Sequence, residues 1–126
     1  MDTIFTSLSI LFPNSLIKQI KKSNYYIDGI HYHTRLKSRP SSGSKYPFNI
    51  NPGTLAAEFE ILLFGEHNWA YIVPIKVLEN MYEHPEAYID NHHPNIRIYT
   101  MDAVSGEATY AKGGLKIDFS NYKKYF

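Results

Sequence analysis

The sequence predicts an α+β fold: a largely antiparallel or mixed β-sheet with an N-terminal helical segment and one helix after a central hairpin. Three observations carry that expectation. Short runs of β-formers recur along the chain, turn signals such as Asp28-Gly29, Pro52-Gly53 and Gly113-Gly114 punctuate them, and helical periodicity is confined to a few segments. At 126 residues, without an internal repeat, the chain is expected to form a single domain over 1–126. A chain of that size buries roughly two thirds of its unfolded surface without staples.

Residues 3 to 11 place Ile4, Leu8 and Leu11 at helical spacing behind a possible Asp2 cap, and Pro13 breaks the pattern. Asn14 then offers a cap to a second helix, SLIKQIKKS, with Leu16, Ile17 and Ile20 inward. Asn24 to Ile27 and Ile30 to Lys37 flank Asp28-Gly29, a strong hairpin signal, so Asp28 reads first as a turn residue. Ser38 to Pro47, with Ser41, Ser42, Gly43 and Ser44 in a row, reads as a flexible segment. Strand character returns in PFNIN.

Residues 57 to 74 are expected to form the central hairpin, with Phe59, Ile61, Leu63, Tyr71 and Val73 buried. Pro74 suits the first turn of a helix that buries Ile75, Leu78 and Met81 or Tyr82 and ends near His84-Pro85. PEAYID reads as a short helical turn, residues 91 to 95 as a loop, and IRIYTM, EATYAK and LKIDF as three strands. The chain closes on the aromatic and basic NYKKYF.

The stretch from Ile30 to Tyr46 holds the chemistry. Strand alternation puts His31, His33, Arg35 and Lys37 on one face and Tyr32, Thr34 and Leu36 on the other. Such a face cannot be packed dry without partners for its charges, so it meets solvent, a counter-charged neighbour, or a ligand. Charge is also uneven along the chain. Lys18, Lys21, Lys22, Arg35, Lys37, Arg39 and Lys45 all precede Tyr46, whereas residues 51 to 100 hold seven carboxylates against Lys76 and Arg97. A basic cluster of that kind suits a phosphate backbone if the fold gathers it on one side. Several of the eleven tyrosines, Tyr25, Tyr26, Tyr32 and Tyr46 among them, lie near it in sequence and offer stacking surfaces for bases.

Without cysteine there is neither a disulfide nor a thiolate ligand or nucleophile. No apolar run reaches the roughly 18 residues of a membrane span, and Asp2 stands where an export signal wants positive charge, so a cytoplasmic protein without membrane contact is expected. His31, His33, His92 and His93 have the chemistry of nitrogen ligands, but no spacing fixes a third ligand and no metal site is expected. Nothing matches a P-loop, a dinucleotide fingerprint or a Ser-His-Asp order.

The order of a hairpin, a strand ending in Arg35-Leu36-Lys37, a variable loop, a strand, an apolar strand, the segment WAYIVP and a helix is distinctive. Over roughly residues 14 to 83 it resembles the restriction-endonuclease-like PD-(D/E)xK superfamily. The resemblance implies a setting in DNA restriction, defence, repair or mobile elements. It also implies a site in which an acidic residue and the glutamate of ExK hold a divalent metal while the lysine positions or activates water. Lys37 falls on that lysine, Arg35 replaces the glutamate, and Asp28 is the candidate for the upstream acid, with Glu58 and Glu60 as further oxygen donors. Arginine cannot ligate Mg²⁺ and repels it.

The leading expectation is therefore a nucleic-acid-binding protein with a degenerate nuclease core, whose contacts run through His31, His33, Arg35, Lys37, Arg39 and Lys45, with no cofactor and with metal-dependent cleavage absent or very weak. Two alternatives stand beside it. One is a small protein-interaction subunit, or homo-oligomer, docking through the acidic residues Glu79, Glu83, Glu86 and Asp90 or a mixed sheet face. The other is an active nuclease using Mg²⁺, with Asp28 and Lys37 catalytic.

Overall fold

The computed structural model describes residues 3–65, 67–114 and 116–126. The expected cap Asp2, Glu66 of the central turn and Leu115 at the head of a late strand lie outside the described residues. The architecture is α+β. Helix α1 (Thr3–Leu11) is followed by strands β1 (Ile17–Lys21), β2 (Asn24–Ile27), β3 (Ile30–Lys37) and β4 (Lys45–Ile50). A 3₁₀ turn (Thr54–Ala56), β5 (Phe59–Phe64), β6 (Trp69–Pro74) and helix α2 (Ile75–Glu83) come next. The chain finishes with β7 (Tyr88–Ile89), β8 (Arg97–Asp102), β9 (Glu107–Tyr110), β10 (Lys116–Asp118), a 3₁₀ turn (Ser120–Tyr122) and β11 (Lys123–Tyr125).

Two sheets result. The larger has the order β1-β2-β3-β5-β6-β11 and the smaller β10-β9-β8-β4, with β7 also on β8. Every pairing is antiparallel except β3 with β5. That parallel step follows from β4: the chain leaves β3, runs back as part of the smaller sheet, and re-enters the larger one in the original direction.

The larger sheet is covered on both faces at its centre. Leu8 and Leu11 of α1 pack with Tyr25, Ile27, Tyr32, Ile61 and Leu63 on one face. On the other, Leu62, Phe64, Tyr71 and Val73 meet Tyr46, Phe48 and Ile50 of β4, with α2 adding Leu78 and Met81. Burial on both faces explains why FEILLF reads as a nearly continuous apolar run. Of the residues expected in this hairpin's core, Ile61, Leu63, Tyr71 and Val73 are buried and Phe59 is half-buried.

Asp28 (φ 50°) and Gly29 (φ 83°) turn β2 into β3, the left-handed geometry that a two-residue hairpin of this kind requires. The expected helix over SLIKQIKKS is instead β1. Leu16 is 77 % and Ile20 47 % exposed, so the apolar spacing there has no core to face. Backbone pairing with β2 wins, helped by Lys22 at φ 49° and by Gln19 Nε2 donating to the Lys22 carbonyl at 2.7 Å. PEAYID is likewise not a helical turn: Tyr88 and Ile89 pair with Ile98 and Arg97, because the 91–95 loop folds the chain straight back. The 38–47 segment is also shorter and tighter than expected. Strand β4 begins at Lys45, and Ser41 N donates to the Lys45 carbonyl at 2.8 Å while Lys45 N donates to that of Ser42 at 2.9 Å.

Among the described residues no helix is long and apolar enough to cross a membrane.

Two stability measurements check this core. Ile61→Ala removes a fully buried side chain from the layer under α1 and should cost about 2–5 kcal/mol, read as a lower denaturation midpoint. Tyr71 is fully buried and its hydroxyl donates to the Ala103 carbonyl at 2.8 Å; burial first, then nearby Asp102, pushes its pKa up to about 12. An unfolded tyrosine ionises near 10, so between about pH 10 and 12 the folded chain holds a proton that the unfolded chain has lost. Stability should fall as pH rises through that window, and Tyr71→Phe should flatten the fall.

Candidate functional site

The site is built on the parallel step. His33 of β3 lies opposite Glu60 of β5, so both side chains leave the same face of the larger sheet. Glu60 is the one charged residue inside the apolar run of β5, and its side chain is completely buried. A buried carboxylate requires partners, and an imidazole and a guanidinium supply them. His33 Nδ1 donates to Glu60 Oε1 at 2.7 Å, and Arg35 Nε lies 3.4 Å from the same oxygen, an ion-pair contact without hydrogen-bond alignment.

Arg35 also joins the two sheets. Its Nη2 donates to Asn49 Oδ1 of β4 at 2.8 Å and to Thr54 Oγ1 of the first 3₁₀ turn at 3.3 Å. The side chains of His33 and Arg35 remain 14 % and 25 % exposed, so the cluster reaches solvent although the carboxylate does not. Glu60 Oε2 and the hydroxyl of Tyr99, both buried, have no hydrogen-bond partner among the described residues. Burial first, then Glu60, pushes the Tyr99 hydroxyl well above the usual tyrosine range.

Beyond this cluster the same face continues as a shelf over β1 and β2. Asn24 lies opposite His33, Tyr26 opposite His31, and Lys18 opposite Tyr26. His31 Nε2 donates to Asn24 Oδ1 at 2.9 Å, and the His31 and Tyr26 rings meet edge to face at 5.5 Å. Tyr26 is 43 % exposed. A depression of about 320 Å³ lined by Leu16, Lys18, Tyr26 and Gly29 opens at the lower end of the shelf.

The strand pairings also sort the basic residues. Lys37 ends β3, Arg39 lies in its connection with β4, Lys45 opens β4, and Lys21 and Lys22 sit at the β1–β2 turn, where the Ser23 carbonyl accepts from Thr34 N at 2.8 Å. All five flank the same end of the larger sheet. Lys18 lies lower on the shelf and Arg35 is occupied by Glu60. Lys45 is in part countered by Asp102, its register partner on β8. Desolvation raises the Asp102 carboxyl, but bonds from Ser105 N, Ser44 Oγ and Val104 N and the charge of Lys45 outweigh it and leave the pKa lowered.

The structure does not bring Asp28 to Lys37. Asp28 sits in the turn before β3 and Lys37 at its far end, so the length of the strand, about 23 Å at ~3.3 Å per residue, separates them. The Asp28 carboxyl is lowered first by a hydrogen bond with Ser15 and then by Leu16 N, which donates to it at 2.9 Å. It fastens the chain entering β1 to the hairpin turn.

Nor do the residues fit the divalent metal that the nuclease resemblance implies. The carboxylate nearest Arg35 is already shared by Arg35 and His33, and Glu58, the other candidate donor, accepts from His31 N at 3.0 Å. His92 and His93 lie in the exposed β7–β8 loop, and no three His, Asp or Glu side chains gather into a ligand group among the described residues.

Sequence reasoning placed the polar face but underrated Glu60. The signal was a lone charge in a strand apolar enough to be buried on both sides. The chain matches no protein-family model, no curated protein and no solved structure.

A double-mutant cycle measures the central interaction. Arg35→Met alone leaves Glu60 short of a partner in the interior and should cost about 3–5 kcal/mol. Adding Glu60→Gln should recover part of that loss in urea unfolding, and strict additivity would show that the two side chains do not interact.

Proposed function

We propose that the protein binds nucleic acid along the β1–β3 shelf and the basic end of the larger sheet, with a restriction-endonuclease-like core in which the metal site has been lost. The observation that carries this reading is the gathering of Lys21, Lys22, Lys37, Arg39 and Lys45 at one sheet end, beside the shelf bearing Tyr26, His31 and His33. Phosphates are met by the exposed Lys21, Lys22, Arg39 and Lys45 and by the half-buried Lys37, and the exposed Tyr26 ring offers a stacking surface for a base. Arg35, taken up by Glu60, Asn49 and Thr54, contributes less to the salt-dependent part of binding than its sequence position implies.

A second reading has its own observation. Strand β1 is an edge of the larger sheet with Ile20 exposed on it and Leu16 exposed just before it, a surface on which a protein partner or a second copy would add a strand.

Fluorescence anisotropy with labelled single- and double-stranded DNA and RNA separates the two. Log affinity should fall with log salt at about 0.7–0.9 per phosphate contact, and Lys37→Gln with Arg39→Gln should lower that slope by up to about two. No binding at low salt, together with concentration-dependent dimerisation, would put the edge-strand reading first.

A further inference from the structure

We infer that His33, oriented by buried Glu60 and flanked by His31 and Arg35, forms a site that cleaves RNA by attack of its own 2′-hydroxyl, with no metal ion in the step. This rests on the nucleic-acid reading and deepens it by naming the substrate.

The geometry fixes the roles. An ionised carboxylate only accepts, so the 2.7 Å contact with Glu60 Oε1 places a proton on His33 Nδ1. In the neutral ring Nε2 then carries the lone pair, and among the described residues Nε2 has no protein partner. A histidine held in one tautomer by a buried carboxylate, with its second nitrogen free, is the arrangement of a general base.

Arg35 is fixed just as firmly. Nε faces Glu60 and Nη2 is bound by Asn49 and Thr54, which leaves Nη1 without a protein partner among the described residues. Because His33 Nδ1 and Arg35 Nε approach the same oxygen at 2.7 and 3.4 Å, the imidazole and the guanidinium are neighbours on one face of the sheet. A guanidinium there stabilises the charge that grows on the non-bridging phosphate oxygens. His31, two residues along the same strand face, is about 7 Å away in backbone spacing, and its Nε2 is committed to Asn24 Oδ1. Its Nδ1 is the position from which the protonated ring would donate.

The step balances without a co-reactant. His33 Nε2 takes the proton of the 2′-hydroxyl as the 2′-oxygen bonds to phosphorus. The bond from phosphorus to the 5′-oxygen breaks, and that oxygen receives the proton from protonated His31. The products are a 2′,3′-cyclic phosphate and a 5′-hydroxyl, nothing is oxidised or reduced, and exchange with water resets both rings. DNA lacks the nucleophile, so it would bind and remain whole.

The test uses the full chain with a labelled RNA oligonucleotide in EDTA, alongside DNA and 2′-O-methyl RNA of the same sequence, with anisotropy measured on each. Cleavage of RNA alone, leaving 2′,3′-cyclic phosphate ends, is the expected result. His33→Ala should slow it by about 10²–10⁴-fold, and His33→Gln, which keeps a donor for Glu60, should do the same while retaining the wild-type denaturation midpoint. RNA that binds but stays intact in EDTA would overturn the inference and leave the binding reading standing. Cleavage that requires Mg²⁺, or that persists at full rate in both His33 variants, would overturn it too. Absence of RNA binding would overturn it as well, and absence of binding to DNA too would remove the nucleic-acid reading with it.

Discussion

One buried carboxylate constrains the centre of this molecule. Glu60 carries its charge into a strand otherwise made of Phe59, Ile61, Leu62, Leu63 and Phe64, where removal from water is expensive. The charge is tolerated because His33 and Arg35 converge on Oε1, and Arg35 in turn holds Asn49 and Thr54. That chain of contacts links β5 to β3 within one sheet and to β4 in the other. It also specifies register: a one-residue slip of β5 against β3 would turn Glu60 into the apolar layer beneath α1, away from both partners.

The parts of the fold legible in the sequence are those decided locally. Asp28-Gly29 announced its hairpin because few other dipeptides accept φ of 50° and 83° in succession. Ile75, Leu78 and Met81 announced α2 because a nine-residue helix has to bury one face, and they are the three buried residues on it. The parts that failed were decided by neighbours distant in sequence. Leu16, Ile17 and Ile20 have helical spacing, but β2 offers a hydrogen-bonding edge that a short isolated helix cannot match. Tyr88 and Ile89 become strand because β8 already stands beside them.

The candidate site shows the same division. Alternation correctly placed His31, His33, Arg35 and Lys37 along one face, a property of β3 alone. What that face meets depended on the parallel pairing of β3 with β5, which exists because β4 was diverted into the other sheet. No local pattern reports such a detour. The pairing of Asp28 with Lys37 came from the family resemblance alone, and the strand expected over Ile30 to Lys37 already held them at opposite ends.

Arg35 bears most directly on what the site favours. A pair of carboxylates repels a phosphodiester and draws it in only through a bridging cation, whose charge then governs the local electrostatics. A guanidinium beside a single carboxylate inverts that requirement. Its charge offsets Glu60, and protonation of either nearby imidazole makes the local balance positive without any ion. Lys21, Lys22, Lys37, Arg39 and Lys45 extend the same sign to the sheet end. In the proposed reading, the residue whose charge does not suit a bridging metal is therefore also the one that would let this face accept an anion directly.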